Sequence, residues 1–325
     1  MDESCLDSTT IYGDWRDELL NDGYVVVKGV LTHERARTYV DRMMTWLESF
    51  PFGFDRNRKS TWTAEHLPPN LKGGMYQGFA VQHEKFMWDA RQEPALLSIF
   101  SQIWNTPDLL VSFDGMNLTL PDKSRNNKQT QPWPHIDQNP SRPGLQCVQG
   151  FLNLAPNGPK DGGLLVLKGS HQYNEEFFAQ SDFKGKNFGT ADWFNFNEKQ
   201  IEWFKKRPKD RCKWVKVCAG PGDLILWDSR TVHYNVLPES EALRAVMYIC
   251  YTPAYLASPE ALGKKAALFN GRKGTTHWPH FSVAIGETLS KDPKKQAYTR
   301  TRPIEEPEET DLVLKLAGVL PYDST

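Results

Sequence analysis

A chain of 325 residues with 39% hydrophobic and 12% aromatic residues can bury a sizeable core, as one large domain or two ordinary ones. Its formal net charge of -1 gives no general attraction to nucleic acid or anionic membrane, and no apolar run reaches the about 20 residues that cross a bilayer. The five cysteines are scattered and never at CxxC spacing, which argues against a disulfide framework or a thiolate zinc site and fits a reducing compartment.

The N-terminal MDESCLDSTTIYGDW is acidic and lacks the apolar stretch of a secretory signal, and the C-terminal YDST matches neither a retention nor a peroxisomal signal. The expected location is therefore cytoplasmic. From Asp14 the pattern predicts helix, strand, helix: Asn21–Gly23 stop the first helix, YVVVKGVL is a β-branched run, and Thr32 caps a helix carrying Tyr39, Met43 and Trp46 at helical spacing. A loop of turn formers and aromatics follows from Pro51 to Gln77, then two helical pieces around Pro94.

From Leu109 the pattern turns to short strands joined by Gly/Pro turns: LLVSFDGMNLTL, LQCVQGFLNL, GGLLVLKGSH, WVKVCAGPGDLILWD and LRAVMYICYTP. Gln172–Asp210 reads as a helical insertion between them. The tail from Ser258 is charged and proline-dotted, with one closing helix over Glu309–Ala317, and KDPKKQ at 291–296 reads as solvated surface charge. The expected fold class is mainly β with flanking helices, a double-stranded β-helix (jelly roll, cupin-like) core. The expected organisation is a single domain: 1–108 as N-terminal helices, first strand and lid region, 109–255 as the core, and 256–325 as an extension packed on it.

PWPHIDQNP at 132–140 sets His135 and Asp137 two apart. On a strand both would project to one side with Ile136 turned away, which is a chelating geometry, although a hydrated strand-edge pair would look the same. A third candidate, His233, follows the apolar strand of GPGDLILWDSRTVHYN at 220–235. Two histidines and one carboxylate make a facial triad that leaves three positions of an octahedral iron for a bidentate keto acid and dioxygen, room that a four-ligand zinc site lacks. Arg244, eleven residues beyond His233, offers the two-pronged contact that the far carboxylate of such a keto acid prefers.

These residues, with GGLLVLKGSHQ at 162–172, make the chain similar to the phytanoyl-CoA dioxygenase-like branch of the Fe(II)/2-oxoglutarate-dependent oxygenases. The resemblance covers roughly 110–252, and LLNDGYVVVKGVL near the N-terminus is also similar. It implies iron on His135, Asp137 and His233, Arg244 on the 2-oxoglutarate carboxylate, and further co-substrate contacts from Gln149, Phe151 and Asn153, which share one face of CVQGFLNL. A tryptophan common in part of the family is Phe151 here. The implied cofactors are Fe(II), 2-oxoglutarate and O₂, and the implied reaction is hydroxylation, or desaturation or cyclisation, with release of succinate and CO₂.

Asp114 and Met116, on the strand before the HxD, and Tyr76 and Gln77, in the glycine-flanked GGMYQGF, are the candidate substrate contacts. The same segment could serve as a lid. His171, in a turn after a strand, is left out of the ligand set. His83, His277 and His280 read as packed or solvated, with THWPHF at 276–281 a minor candidate for the cavity mouth. The first functional expectation is an oxygenase acting on a small molecule of secondary or amino-acid-like metabolism. Neither nucleic acid nor membrane is expected as a partner, and the sequence leaves the oligomeric state open. The alternative is a jelly-roll protein that binds metal as a ligand-binding or sensor module, which would have no need of an arginine clamp for a keto acid.

Overall fold

The computed structural model describes residues 5–121, 132–208, 211–286 and 292–322. Helix α1 (Trp15–Asp22) is capped by the Asp14 carboxylate and stops at Gly23, whose φ of 78° suits glycine and whose N–H returns to the Leu19 carbonyl. Strand β1 (Tyr24–Val27) leads to α2 (His33–Glu48), where Thr32 accepts from the Arg35 N–H and Tyr39, Met43 and Trp46 are buried. After the loop come β2 (Met75–Tyr76), α3 (Lys85–Arg91) and α4 (Pro94–Trp104), the last with its proline in the first turn, where a missing N–H costs nothing.

The strands β3 (Leu109–Val111), β4 (Met116–Thr119), β5 (His135–Ile136), β6 (Val148–Asn153) and β7 (Gly163–Leu167) follow. Next are α5 (Asn174–Phe178), β8 (Phe194–Asn195), α6 (Glu198–Lys205), β9 (Trp214–Lys216), β10 (Leu224–Asp228), β11 (His233–Val236), β12 (Arg244–Tyr248) and β13 (Tyr251–Pro253). Helices α7 (Pro259–Asn270), α8 (Pro293–Gln296) and α9 (Asp311–Leu316) close the order.

One sheet runs β1-β10-β6-β12-β4-β2 and a second β8-β5-β11-β7-β9, with antiparallel neighbours throughout. Alternation along the strands sets the layers. Ile225 and Trp227 of β10, Phe151 of β6 and Val246 of β12 meet Leu164 and Val166 of β7 and Val217 between the sheets. The intervening Leu224, Leu226, Leu152, Ala245 and Met247 face the other way, into the larger core shared with α2, α4 and α9. This is the two-sheet jelly roll with helices outside that the sequence predicts.

Three expectations need correction. The 172–210 segment is not wholly helical: β8 pairs with β5, and Phe177, Phe183, Phe196 and Phe204 build their own core against Ile136 (residues 209–210 lie outside the described ones). The tail holds the long helix α7 besides α9, started by Ser258 as cap and Pro259 in the first turn. In KDPKKQ, whose Lys291 is outside the described residues, Lys295 is not solvated. It is buried and donates its Nζ to the carbonyls of Ala64 and Leu67, because the Pro51–Gln77 loop folds over it. The C-terminal Asp323–Thr325 and N-terminal Met1–Ser4, read above for targeting signals, also lie outside the described residues. Among the described residues, no helix is long and apolar enough to cross a membrane.

Candidate active site

In β5 and β11, His135 and His233 are register partners, so two adjacent strands of the smaller sheet present their imidazoles side by side with ring centroids 4.3 Å apart. Asp137, just past β5, donates its N–H to the Ser229 carbonyl and so reaches the same side as His135, while Ile136 packs into the phenylalanine core. The three donor atoms all lie within 4.8 Å of one another. Asp137 Oδ1 is 3.4 Å from His135 Nε2 and Oδ2 is 3.2 Å from His233 Nε2.

Second contacts fix the chemistry of each donor. His135 Nδ1 sits 3.1 Å from the Trp133 carbonyl and His233 Nδ1 2.8 Å from the Thr231 carbonyl. A carbonyl can only accept, so each Nδ1 carries a proton, which leaves Nε2 as the nitrogen that faces the Asp137 carboxylate and would bind a metal. Burial holds the His135 imidazole down to about 4, so it is neutral near pH 7. Burial alone would raise the Asp137 carboxyl, but His135 and His233 outweigh it and keep it well below 3.8. Two imidazole Nε2 atoms and one carboxylate therefore converge on one point, the donor set that a divalent metal takes once it displaces any proton on them. Gln149 donates Nε2 to Asp137 Oδ2 at 3.0 Å, Trp133 stacks on the His135 ring at 4.3 Å, and Trp227 meets His233 edge-on at 5.5 Å.

The triad opens into a cavity of about 1340 Å³ between the sheets. Arg244 lines it from the start of β12, with its guanidinium carbon 5.6 Å from the Phe151 ring centroid and Tyr248 also in the lining. Among the described residues no carboxylate pairs with Arg244. Gly163, at φ 137°, leaves room for it: a Cβ there would come 3.2 Å from Arg244 Nε.

Of the other sequence candidates, Gln149, Phe151, Asp114 and Gln77 line this cavity, and Asn153, Met116 and Tyr76 do not. Asn153 spends both amide hydrogens on the carbonyls of Ala155 and Gly220, each at 2.7 Å, so it ties a turn together instead of facing the co-substrate space. Met116 and Tyr76 are buried in the helix-side core. The reason is Gly115, which lies so close to the Tyr76 carbonyl that any side chain there would overlap it. The irregularity shifts the alternation, so Asn117 and Thr119 accompany Asp114 into the cavity and Met116 points away. The GGMYQGF segment is pinned as β2 against β4 and is not a detached lid.

Sequence reasoning missed Trp227 and Tyr248 as cavity residues, although the alternation of LILWD and RAVMY carries that signal, and it missed Lys72 and Trp193, which carry none. The tail supplies Thr276 and His277 to the lining. His171, His83 and His280 stay away from the triad, bonded to the Leu20 carbonyl, the Lys273 carbonyl and the Thr252 hydroxyl respectively.

Residues 19–241 match the family model described as phytanoyl-CoA dioxygenase. "Ava biosynthesis cluster protein O" of Aspergillus versicolor is 44% identical over 273 residues, covering 83% of this chain and 87% of that protein. Among solved structures, the GlcNAc-inducible GIG2 of Candida albicans superposes with a TM-score of 0.63 at 12% identity, over 99% of this chain and 79% of its own. Iron-bound EctD of S. alaskensis does so at 0.51 and 13% identity, over 94% of this chain and 90% of its own. The two superpositions carry the fold.

Proposed function

Since this chain belongs to the phytanoyl-CoA dioxygenase family, we propose that it oxidises a small-molecule metabolite at the His135–Asp137–His233 centre, by hydroxylation or by desaturation or ring closure. In class it is a non-haem iron, 2-oxoglutarate-dependent dioxygenase. The observation that carries the reading is the convergence of two imidazole Nε2 atoms and one carboxylate in a cavity that also contains an arginine with no acidic partner among the described residues.

Iron(II) held by these three residues, together with 2-oxoglutarate and O₂, supplies the oxidising power and leaves succinate and CO₂. The chain's own residues position and exclude. Arg244, backed by the Phe151 ring, receives the far carboxylate of 2-oxoglutarate. Gln149 holds the Asp137 carboxylate in orientation, and the Trp133 and Trp227 rings fix the planes of the two histidines. Asp114 and Gln77 face the substrate. Kinship with a biosynthesis-cluster protein supports a substrate from secondary metabolism.

The experiment is succinate release from 2-oxoglutarate by the Fe(II)-loaded protein across a panel of metabolite classes. Release above the substrate-free background with one class supports an oxygenase. Background-level succinate with every class, from protein that binds iron, would favour the metal-binding sensor instead.

A further inference from the structure

Asp114 is a carboxylate that the iron chemistry leaves unused. It lines the cavity yet is only 6% exposed, and among the described residues no lysine or arginine lies within ion-pairing distance of it. Both hydrogen bonds it receives fall on Oδ1, from Gln77 Nε2 at 2.9 Å and from the Gly115 N–H at 2.7 Å. Oδ2 is left to the cavity.

A closed ring of buried groups and the half-buried Gln77 holds it in that pose. Arg91, fully buried, donates Nη2 to the Asp114 carbonyl at 2.9 Å and Nη1 to the Gln82 carbonyl at 2.6 Å. Gln82 donates to the Gln77 carbonyl at 2.6 Å, and Gln77 returns to Asp114. The tail fastens the same loop: Phe113 and Thr275 exchange hydrogen bonds of 2.9 and 2.8 Å, which brings His277 into the lining beside Asp114. Four chain segments thus fix one carboxylate oxygen toward the cavity. Burial pushes the Asp114 carboxyl above 3.8, although the Gln77 and Gly115 donors and the nearby His277 and Arg91 work against it. A buried carboxylate is stabilised only by a donor that replaces its lost water, best by one of opposite charge.

We propose that Asp114 determines specificity by receiving a protonated amine on the substrate, which makes the substrate a cationic small molecule with an apolar or aromatic body in the same cavity, which Phe151, Trp193 and Leu237 also line. The inference rests on the oxygenase reading for the role of the cavity, and its test does not use turnover.

The protein is loaded with manganese(II) and 2-oxoglutarate, and binding of phenethylamine, phenethyl alcohol and 3-phenylpropanoate is measured by calorimetry. The amine should bind at least about tenfold tighter than the alcohol or the acid. Asp114→Asn should bring amine and alcohol within about twofold at an unchanged melting temperature, and Gln77→Leu should lower the amine preference about threefold. Equal binding of alcohol and amine, preference for the acid, no binding by any of the three, or an undiminished preference in Asp114→Asn would overturn the proposal. Should Asp114→Asn not fold, the wild-type order and Gln77→Leu still decide. Failure here with intact succinate release rejects only the amine site, and absent succinate release with this binding order intact rejects only the oxygenase.

Discussion

Replacing Arg244 with alanine removes the cavity's guanidinium without touching the three metal donors. Arg244 begins β12 in register with Thr119 of β4, a pairing made by backbone groups that alanine keeps. Its side chain lies over Phe151, forms no ion pair among the described residues and is only partly buried, so little folding energy depends on it. What is lost is a charge-assisted contact to the co-substrate carboxylate, worth about 1.5–3 kcal/mol, or about ten- to a hundredfold in the KM for 2-oxoglutarate. The assay is succinate formation against 2-oxoglutarate concentration, with iron content measured on the same samples. Arg244→Ala should raise KM by that factor at full iron stoichiometry, and Arg244→Lys, which keeps the charge but not the fork, should fall between. Loss of iron to the same extent as in His135→Ala, or a KM within twofold of wild type, would refute the assignment.

Two further outcomes follow from the fold. Asp223 accepts the Gly29 and Gly220 N–H groups at 2.9 and 2.7 Å and the mostly exposed Lys28 ammonium at 2.9 Å, tying the turn after β1 to the start of β10. Burial would raise its carboxyl, but these donors outweigh it and hold it below 3.8. Its contribution is therefore fully present above about pH 4 and is lost as pH falls through the folded-state value. Asp223→Asn should cost about 1–3 kcal/mol at pH 7 in urea unfolding, and its deficit relative to wild type should shrink below pH 4; a pH-independent deficit would contradict the charge argument. Gly115→Ala places a methyl into the Tyr76 carbonyl, so β2 should separate from β4 and carry Gln77 away from Asp114. The variant should lose most substrate-dependent succinate release while still binding iron, and wild-type activity would show that the close approach does not matter.

Much of this architecture is readable in the chain because the chemistry is local. The Asn21–Gly23 stop, the Thr32 cap and the β-branched YVVV each act within a few residues, and the HxD spacing alone puts two donors on one side of a strand. What failed depended on long-range contacts. Period-two alternation puts Met116 beside Asp114, and although Gly115 marks a possible irregularity in the strand, the Tyr76 carbonyl that turns Met116 away comes from a distant segment. Asn153 sits on the same side of β6 as Gln149, but turns reached from Ala155 and Gly220 claim its amide. Lys295 looks solvated in a lysine-rich stretch, yet a loop some 230 residues earlier supplies the carbonyls that bury it. His277 enters the cavity only because Thr275 is stitched to Phe113. Helix α7 is a different failure, since Ser258 and Pro259 are a local start signal that the charged composition of the tail obscured.

The claim that His135, Asp137 and His233 hold iron in a cavity shaped for a chelating keto acid is tested most directly by anaerobic absorption spectroscopy. With Fe(II) and 2-oxoglutarate the wild-type protein should develop a weak visible charge-transfer band at one iron per chain, which oxygen and substrate then bleach, and His135→Ala should show neither band nor bound iron. Absence of the band in iron-loaded wild-type protein, or an undiminished band in His135→Ala, would contradict the account.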